Sequence, residues 1–98
     1  MRLDKFQRHA LKQALRHLNP GDEAFLFGSR VNENARGGDV DVLIFSRQPS
    51  FELSRKITRD YFKNCEEKID VVVINPQAMT EEQSLFVKSI DREAIVDL

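Results

Sequence analysis

The chain has 98 residues, 41% of them hydrophobic and 32% charged, with a formal net charge of −1. This composition excludes a disordered chain, no apolar run approaches the length of a membrane span, and the near-neutral balance gives no indication of nucleic-acid binding. The length suits one domain, 1–98, with one core.

The single cysteine, Cys65, cannot close an intramolecular disulfide, which fits a reducing cytoplasm, and it reads as a structural thiol. The charged N-terminal stretch lacks the apolar segment of a signal peptide. From Arg2 to Leu18, the residues Leu3, Phe6, Ala10, Leu11, Ala14 and Leu18 recur at helical spacing and predict an amphipathic helix. Arg2, Lys5, Arg8, Lys12 and Arg16 form the opposite, solvated stripe, and Asn19-Pro20-Gly21 ends the helix. Glu23 to Phe27 predicts a first strand. The loop from Gly28 to Gly38 has room for one helical turn near Val31–Ala35, and Asp39 to Phe45 predicts a second strand.

Ser50 is expected to cap a helix reaching about Cys65, with Leu53, Ile57, Tyr61 and Phe62 on its buried side. Lys68 to Ile74, "KIDVVVI", predicts a third strand that Asn75-Pro76 terminates. Thr80 caps a last helix with Glu82 and Gln83 in its first turn and Leu85, Phe86 and Ile90 as core residues. Ala94 to Leu98 predicts a short final strand, and the seven phenylalanines read as core. The order is α-β-(α)-β-α-β-α with a closing strand: a small mixed β-sheet packed with helices, an α/β or α+β layer. The third strand is apolar on both faces beyond Asp70, so a second subunit, a homo-oligomer, is one source of the cover it needs.

Alternation along the second strand points Asp39 and Asp41 the same way, about 6–7 Å apart, while Val40, Val42 and Ile44 take the other face. Two close carboxylates repel each other and resist desolvation, and a hard divalent cation such as Mg²⁺ relieves both costs. Asp70 stands in a strand that is otherwise apolar and β-branched, where an unpartnered aspartate is costly. If the second and third strands are neighbours, the three aspartates form one cluster, suited to two metal ions about 3.5–4 Å apart and to phosphoryl or nucleotidyl transfer. Gly28-Ser29, directly after the first strand, offers close backbone approach and N–H groups for an anion. Arg30 and Arg36 can bind phosphate or pair with the aspartates, and Gly37-Gly38 supplies the backbone angles that lead into the second strand.

With "FGSRVNENARGGDVDVLI" followed by "KIDVVVI", the chain resembles the polymerase-β-like nucleotidyltransferase superfamily over essentially its whole length. Within that superfamily it is similar to the minimal nucleotidyltransferases of the antitoxin type. The resemblance implies the polymerase-β-like fold, ATP or another NTP as substrate and two Mg²⁺ ions. It implies that Gly28 and Ser29 contact the triphosphate, with Arg30 and Gly38 in the same nucleotide-binding loop. It also implies that Asp39 and Asp41 ligate both metals, and that Asp70 ligates the catalytic one and helps to activate the incoming hydroxyl. Family members often carry Ser directly before the first aspartate of the pair; here that residue is Gly38.

The reading is a Mg²⁺-dependent nucleotidyltransferase that moves AMP from ATP to a hydroxyl on a partner such as a HEPN-domain toxin. The alternative is a nucleotide- or partner-binding module that acts without turnover. A phosphoacceptor domain of the receiver type fits poorly, because Gly28-Ser29 stands where that class carries an acidic pair.

Overall fold

Asp4 starts the first helix. Its carboxylate accepts the backbone N–H of Gln7 at 2.8 Å, and the Gln7 side chain accepts the backbone N–H of Asp4 at 2.9 Å, a reciprocal capping box. The computed structural model of the chain describes residues 2–31, 38–96 and 98. Its elements are α1 (Lys5–Ala14), β1 (Glu23–Phe27), β2 (Val40–Phe45), α2 (Ser50–Asn64), β3 (Ile69–Ile74), α3 (Glu81–Ser89) and β4 (Arg92–Ala94). Single 3-10 turns follow α1 at Leu15–His17 and β1 at Gly28–Val31. Most of the helical turn expected near Val31–Ala35 lies outside the described residues, as does Arg36.

The strands form one mixed sheet in the order β3-β2-β1-β4. β1 pairs antiparallel with β2 and β4, and β2 pairs parallel with β3 through the α2 crossover. Both α1 and α2 cover the same face. Ala10, Leu11 and Ala14 of α1 and Leu53, Ile57 and Tyr61 of α2 pack on Leu26, Val40, Val42, Ile44, Ile69 and Val73. A fully buried leucine or isoleucine of this kind contributes about 1.5–3 kcal/mol. Burial, with the Cys65 thiol beside it, pushes the Tyr61 hydroxyl well above the usual phenol range.

The opposite face carries Phe25, Phe27, Leu43, Phe45, Val72 and Ile74 by strand alternation and register. α3 and the Arg92 side chain of β4 cover it in part. Phe86 meets Phe27 edge to face at 5.4 Å, and the Arg92 guanidinium lies over the rings of Phe25 at 4.9 Å and Phe45 at 5.7 Å.

Several sequence expectations are corrected. No phenylalanine belongs to the fully buried core among the described residues; Phe6, Phe51 and Phe62 are exposed, and the others are half-buried on the second face. In α1 the fully buried stripe position is Gln7 rather than Phe6, because its amide has partners inside. α2 begins one residue earlier than expected, with Pro49 at its cap and the Leu53 N–H bonded to the Pro49 carbonyl, so Ser50 caps nothing. Leu85 is 62% exposed because α3 rests on the sheet through Phe86. The last strand falls at Arg92–Ala94, where it pairs with Phe27–Phe25. The Thr80 cap of α3, with Gln83 closing its capping box, is as expected. Among the described residues no helix is long and apolar enough to cross a membrane.

Candidate functional site

The parallel register of β2 and β3 sets Asp41 beside Asp70, and the antiparallel register of β1 and β2 sets Phe27 on the other side of Asp41. The row Phe27–Asp41–Asp70 therefore runs across three adjacent strands on the face away from α1 and α2. Neighbouring strands stand about 4.7–4.9 Å apart, so the two carboxylates occupy one small region. Asp39 precedes β2 by one residue and stands close enough to Asp41 to act on it electrostatically.

The cluster is electrostatically under-compensated. Burial, then the charge of Asp70, then that of Asp39, push the Asp41 pKa above the ordinary carboxylate value, and Lys68 only partly opposes them. Lys68 itself pairs with Asp39, with its Nζ 3.5 Å from Oδ2. No hydrogen-bond donor among the described residues reaches Asp41 or Asp70. Among the described residues their oxygens accept no hydrogen bond, and the donor set of hard carboxylates with excess negative charge suits a divalent cation such as Mg²⁺. Among the described residues the side chains do not already converge as a three-ligand cage, since Asp39 is turned to Lys68.

The turn after β1 is built against this cluster. Gly28 has φ +72, and a β-carbon there would stand 2.5 Å from Oδ2 of Asp41. Gly38, with φ +85, stands so close to Ser29 that the Ser29 hydroxyl fills the space a side chain at position 38 would take. The two glycines thus let the Gly28-Ser29 turn and the Gly38–Asp41 segment press together. The hydroxyl lost at position 38 has a neighbour in its place, from Ser29.

Arg30 turns inward. Its Nη2 donates to the Gly38 carbonyl at 3.0 Å and pairs with Glu67 at 3.4 Å. Its Nη1 donates to the Arg2 carbonyl at 3.3 Å and, at 3.5 Å, to the Gln7 side chain, which also bonds Glu67. Arg2 in turn donates from its backbone to the Arg30 carbonyl at 2.9 Å and from its guanidinium to the Ser29 carbonyl at 3.2 Å. These contacts tie the Ser29 turn, the residue before Asp39 and the approach to β3 into one buried strut. The geometry makes Arg30 a positioning residue for the loop rather than a group facing the aspartates.

Sequence reasoning passed over Gln7 and Glu67, and it read Arg2 as part of a solvated stripe, whereas Arg2 is bonded to the Ser29 and Arg30 carbonyls. Two signals were present: Gln7 stands in register with Leu3, Leu11 and Ala14, and Asp4-x-x-Gln7 is a capping-box spacing. Nothing local marks Glu67 or Arg2, whose partners are distant in the chain.

The family model described as the nucleotidyltransferase domain matches residues 9–97. The chain belongs to this family. No curated protein matches the chain at a significant level. As a nucleotidyltransferase domain the chain acts on a nucleotide substrate, and its four-stranded mixed sheet with three helices agrees with the polymerase-β-like nucleotidyltransferase fold. The aspartate row and the glycine-braced turn of this nucleotidyltransferase meet directly where Gly28 approaches Asp41.

Proposed function

We propose that the domain transfers AMP from ATP to a hydroxyl on a partner protein, such as a HEPN-type toxin. The observation that carries the reading is the side-by-side placement of Asp41 and Asp70 with Gly28 pressed against Asp41. Asp39, Asp41 and Asp70 would hold Mg²⁺, which when bound neutralises triphosphate charge and eases loss of the acceptor proton. The backbone N–H groups and the hydroxyl of the Gly28-Ser29 turn bind the triphosphate. Gly38 leaves room for Ser29, and Arg30 holds the turn through the Gly38 carbonyl.

In this reading the acceptor approaches from the side of Asp70, which is exposed on the terminal strand of the sheet. The acceptor oxygen forms a bond to the α-phosphorus, and the bond from that phosphorus to the bridging oxygen breaks. Pyrophosphate leaves with the electron pair, and the acceptor proton passes to the Asp70 carboxylate and on to solvent. Exposed Phe6, Phe51, Phe62 and Leu85 supply apolar surface for a protein partner.

The test is incubation with α-labelled ATP, Mg²⁺ and a HEPN-domain protein, taken from the neighbouring reading frame if that frame encodes one. Wild-type protein labels the partner, and Asp39→Asn or Asp41→Asn lowers labelling by about 100-fold or more while the domain stays folded. Undiminished labelling by either variant overturns the mechanism. Neutralisation of the partner by unlabelled protein without Mg²⁺ and ATP would favour binding over chemistry.

A further inference from the structure

Beside Asp70, on the flank away from Gly28-Ser29, a groove of about 410 Å³ runs between α2 and the edge of β3. Ser54, Arg55, Thr58 and Arg59 form its α2 wall, and the segment from Ile69 to Val71 forms the other. We propose that this groove receives an extended, acidic polypeptide segment that carries the acceptor hydroxyl. The inference rests on the nucleotidyl-transfer reading above, and it names the substrate class of that site.

The position comes first. The nucleotide is bound on the β1 side of the aspartate row, by the turn that follows β1. An incoming hydroxyl must reach the α-phosphorus from the side opposite the leaving pyrophosphate. In this sheet that side is β3, which among the described residues pairs only with β2, and the groove opens onto Asp70 there.

The charge comes second. Arg55 and Arg59 are one helical turn apart and both exposed, and no carboxylate among the described residues pairs with either. Three other arginines are held by the fold: Arg30 is buried in the strut, Arg16 pairs with Asp60, and Arg92 lies over two phenylalanine rings. Arg55 is steadied over the Phe51 ring at 5.5 Å. Two exposed guanidinium groups with no carboxylate partner among the described residues, set beside a carboxylate cluster, bring carboxylates of the ligand to the groove and keep them off Asp70.

The backbone decides the class. β3 is a terminal strand, and an extended polypeptide can add to it, matching both its N–H and its C=O groups while alternate side chains reach the arginines and Asp70. A single-stranded nucleic acid offers its phosphates mainly as acceptors, and it relies on aromatic rings for base stacking; among the described residues no aromatic side chain lines this groove.

The test uses the intact chain and a fluorescein-labelled Glu-rich peptide with one central tyrosine, read by fluorescence anisotropy. Three comparison probes are a Lys-rich peptide of equal length, the Glu-rich peptide N-methylated on alternate amides, and a ten-nucleotide oligoadenylate. The Glu-rich peptide is expected to bind saturably. Its affinity is expected to fall tenfold or more, about 1.4 kcal/mol, both in the Arg55→Glu/Arg59→Glu variant and on N-methylation. Both arginines are exposed, so circular dichroism should show the variant folded; Arg55→Gln/Arg59→Gln is a milder second variant expected to lose affinity in the same direction. The proposal is overturned by absence of saturable Glu-rich binding, by equal binding to the charge-reversed variant, by indifference to N-methylation, or by tighter binding of the oligoadenylate or the Lys-rich peptide. Mg²⁺-ATP binding to the wild type is measured alongside. Its absence defeats the transfer reading, whereas its presence with a failed peptide result defeats only the groove assignment.

Discussion

Gly28 and Asp41 are in such close approach that a single β-carbon on Gly28 would stand 2.5 Å from a carboxylate oxygen of Asp41. The phosphate-side turn and the carboxylate strand are therefore one contact surface. Gly28→Ala must either push Asp41 aside or move the turn, and it also strains a φ of +72. We expect a stability loss of about 1–2 kcal/mol from the backbone alone, with nucleotidyl transfer falling much further than that loss explains. Thermal melting and labelled-ATP transfer on the same preparation measure both. Wild-type transfer by the alanine variant would refute the arrangement.

Gly38→Ser tests the reciprocal contact. The new side chain collides with Ser29 and strains a φ of +85. Pairing it with Ser29→Gly removes the collision and leaves the backbone strain. The double variant should therefore be more stable than Gly38→Ser alone, by about 1 kcal/mol or more, yet less stable than wild type. Strict additivity of the two single effects in a double-mutant cycle would contradict the contact.

Arg30→Met removes the guanidinium while keeping much of the buried length. It leaves the Gly38 and Arg2 carbonyls without this donor and Glu67 without its cation. A cost of about 1–3 kcal/mol follows. ATP affinity should weaken through the displaced turn, since the Arg30 guanidinium holds the Gly38 carbonyl. Arg30→Lys should restore part of the stability but less of the affinity, since one ammonium cannot span the same fork of acceptors.

The carboxylate cluster makes the metal-free protein less stable than it could be. The Asp41 pKa is raised, so the folded state binds that proton more tightly than the unfolded one, and this contribution to stability declines as pH rises through the Asp41 titration. Asp41→Asn should melt higher than wild type at neutral pH without divalent metal, by about 0.2–1 kcal/mol for removal of a cross-strand like-charge contact. Added Mg²⁺ should raise the wild-type melting temperature and leave the variant almost unmoved. Calorimetry with and without EDTA decides it.

Asp22 behaves oppositely. Burial alone would raise its pKa, but the Asn19 N–H at 3.0 Å and the Gln48 amide and Ser46 hydroxyl, both at 2.9 Å, hold it below the usual value. Its stabilising contribution is complete above the ordinary aspartate pKa of about 3.9 and is lost as pH falls through the lowered value. Asp22→Asn should flatten the acid side of the stability profile and leave neutral-pH transfer unchanged. Chemical denaturation from pH 3 to 7 would show it; an unaltered acid limb would count against the assigned bonds.

The sequence made the strands and the aspartates legible because both rest on short-range rules. Alternation placed Asp41 on the face opposite Val40 and Val42, and the cost of a charge in "KIDVVVI" singled out Asp70. Strand adjacency was a condition, and the parallel register met it. The buried polar strut was not legible in the same way. Gln7 is buried because Glu67, sixty residues on, and Arg30 reach it, and helical spacing alone favours Phe6 for such a place. The inward turn of Arg30 depends on carbonyls at Arg2 and Gly38 that only the folded chain brings together. β4 fell earlier than its apolar residues suggested, because pairing with Phe25–Phe27 and stacking of Arg92 selected the segment rather than hydropathy.

The parallel pairing of Asp41 with Asp70 has a consequence for how the protein opens and closes. Parallel neighbours cannot be joined by a tight turn, so the pair exists only once α2 has crossed over and packed on the sheet. Amide exchange at Asp41, Val42, Val71 and Val72 should then proceed only through opening of the entire β2-α2-β3 unit, with α3 and β4 free to open separately. A chain that has lost that unit holds no residual half-site, and a chain that retains it has both carboxylates in place whatever its periphery is doing.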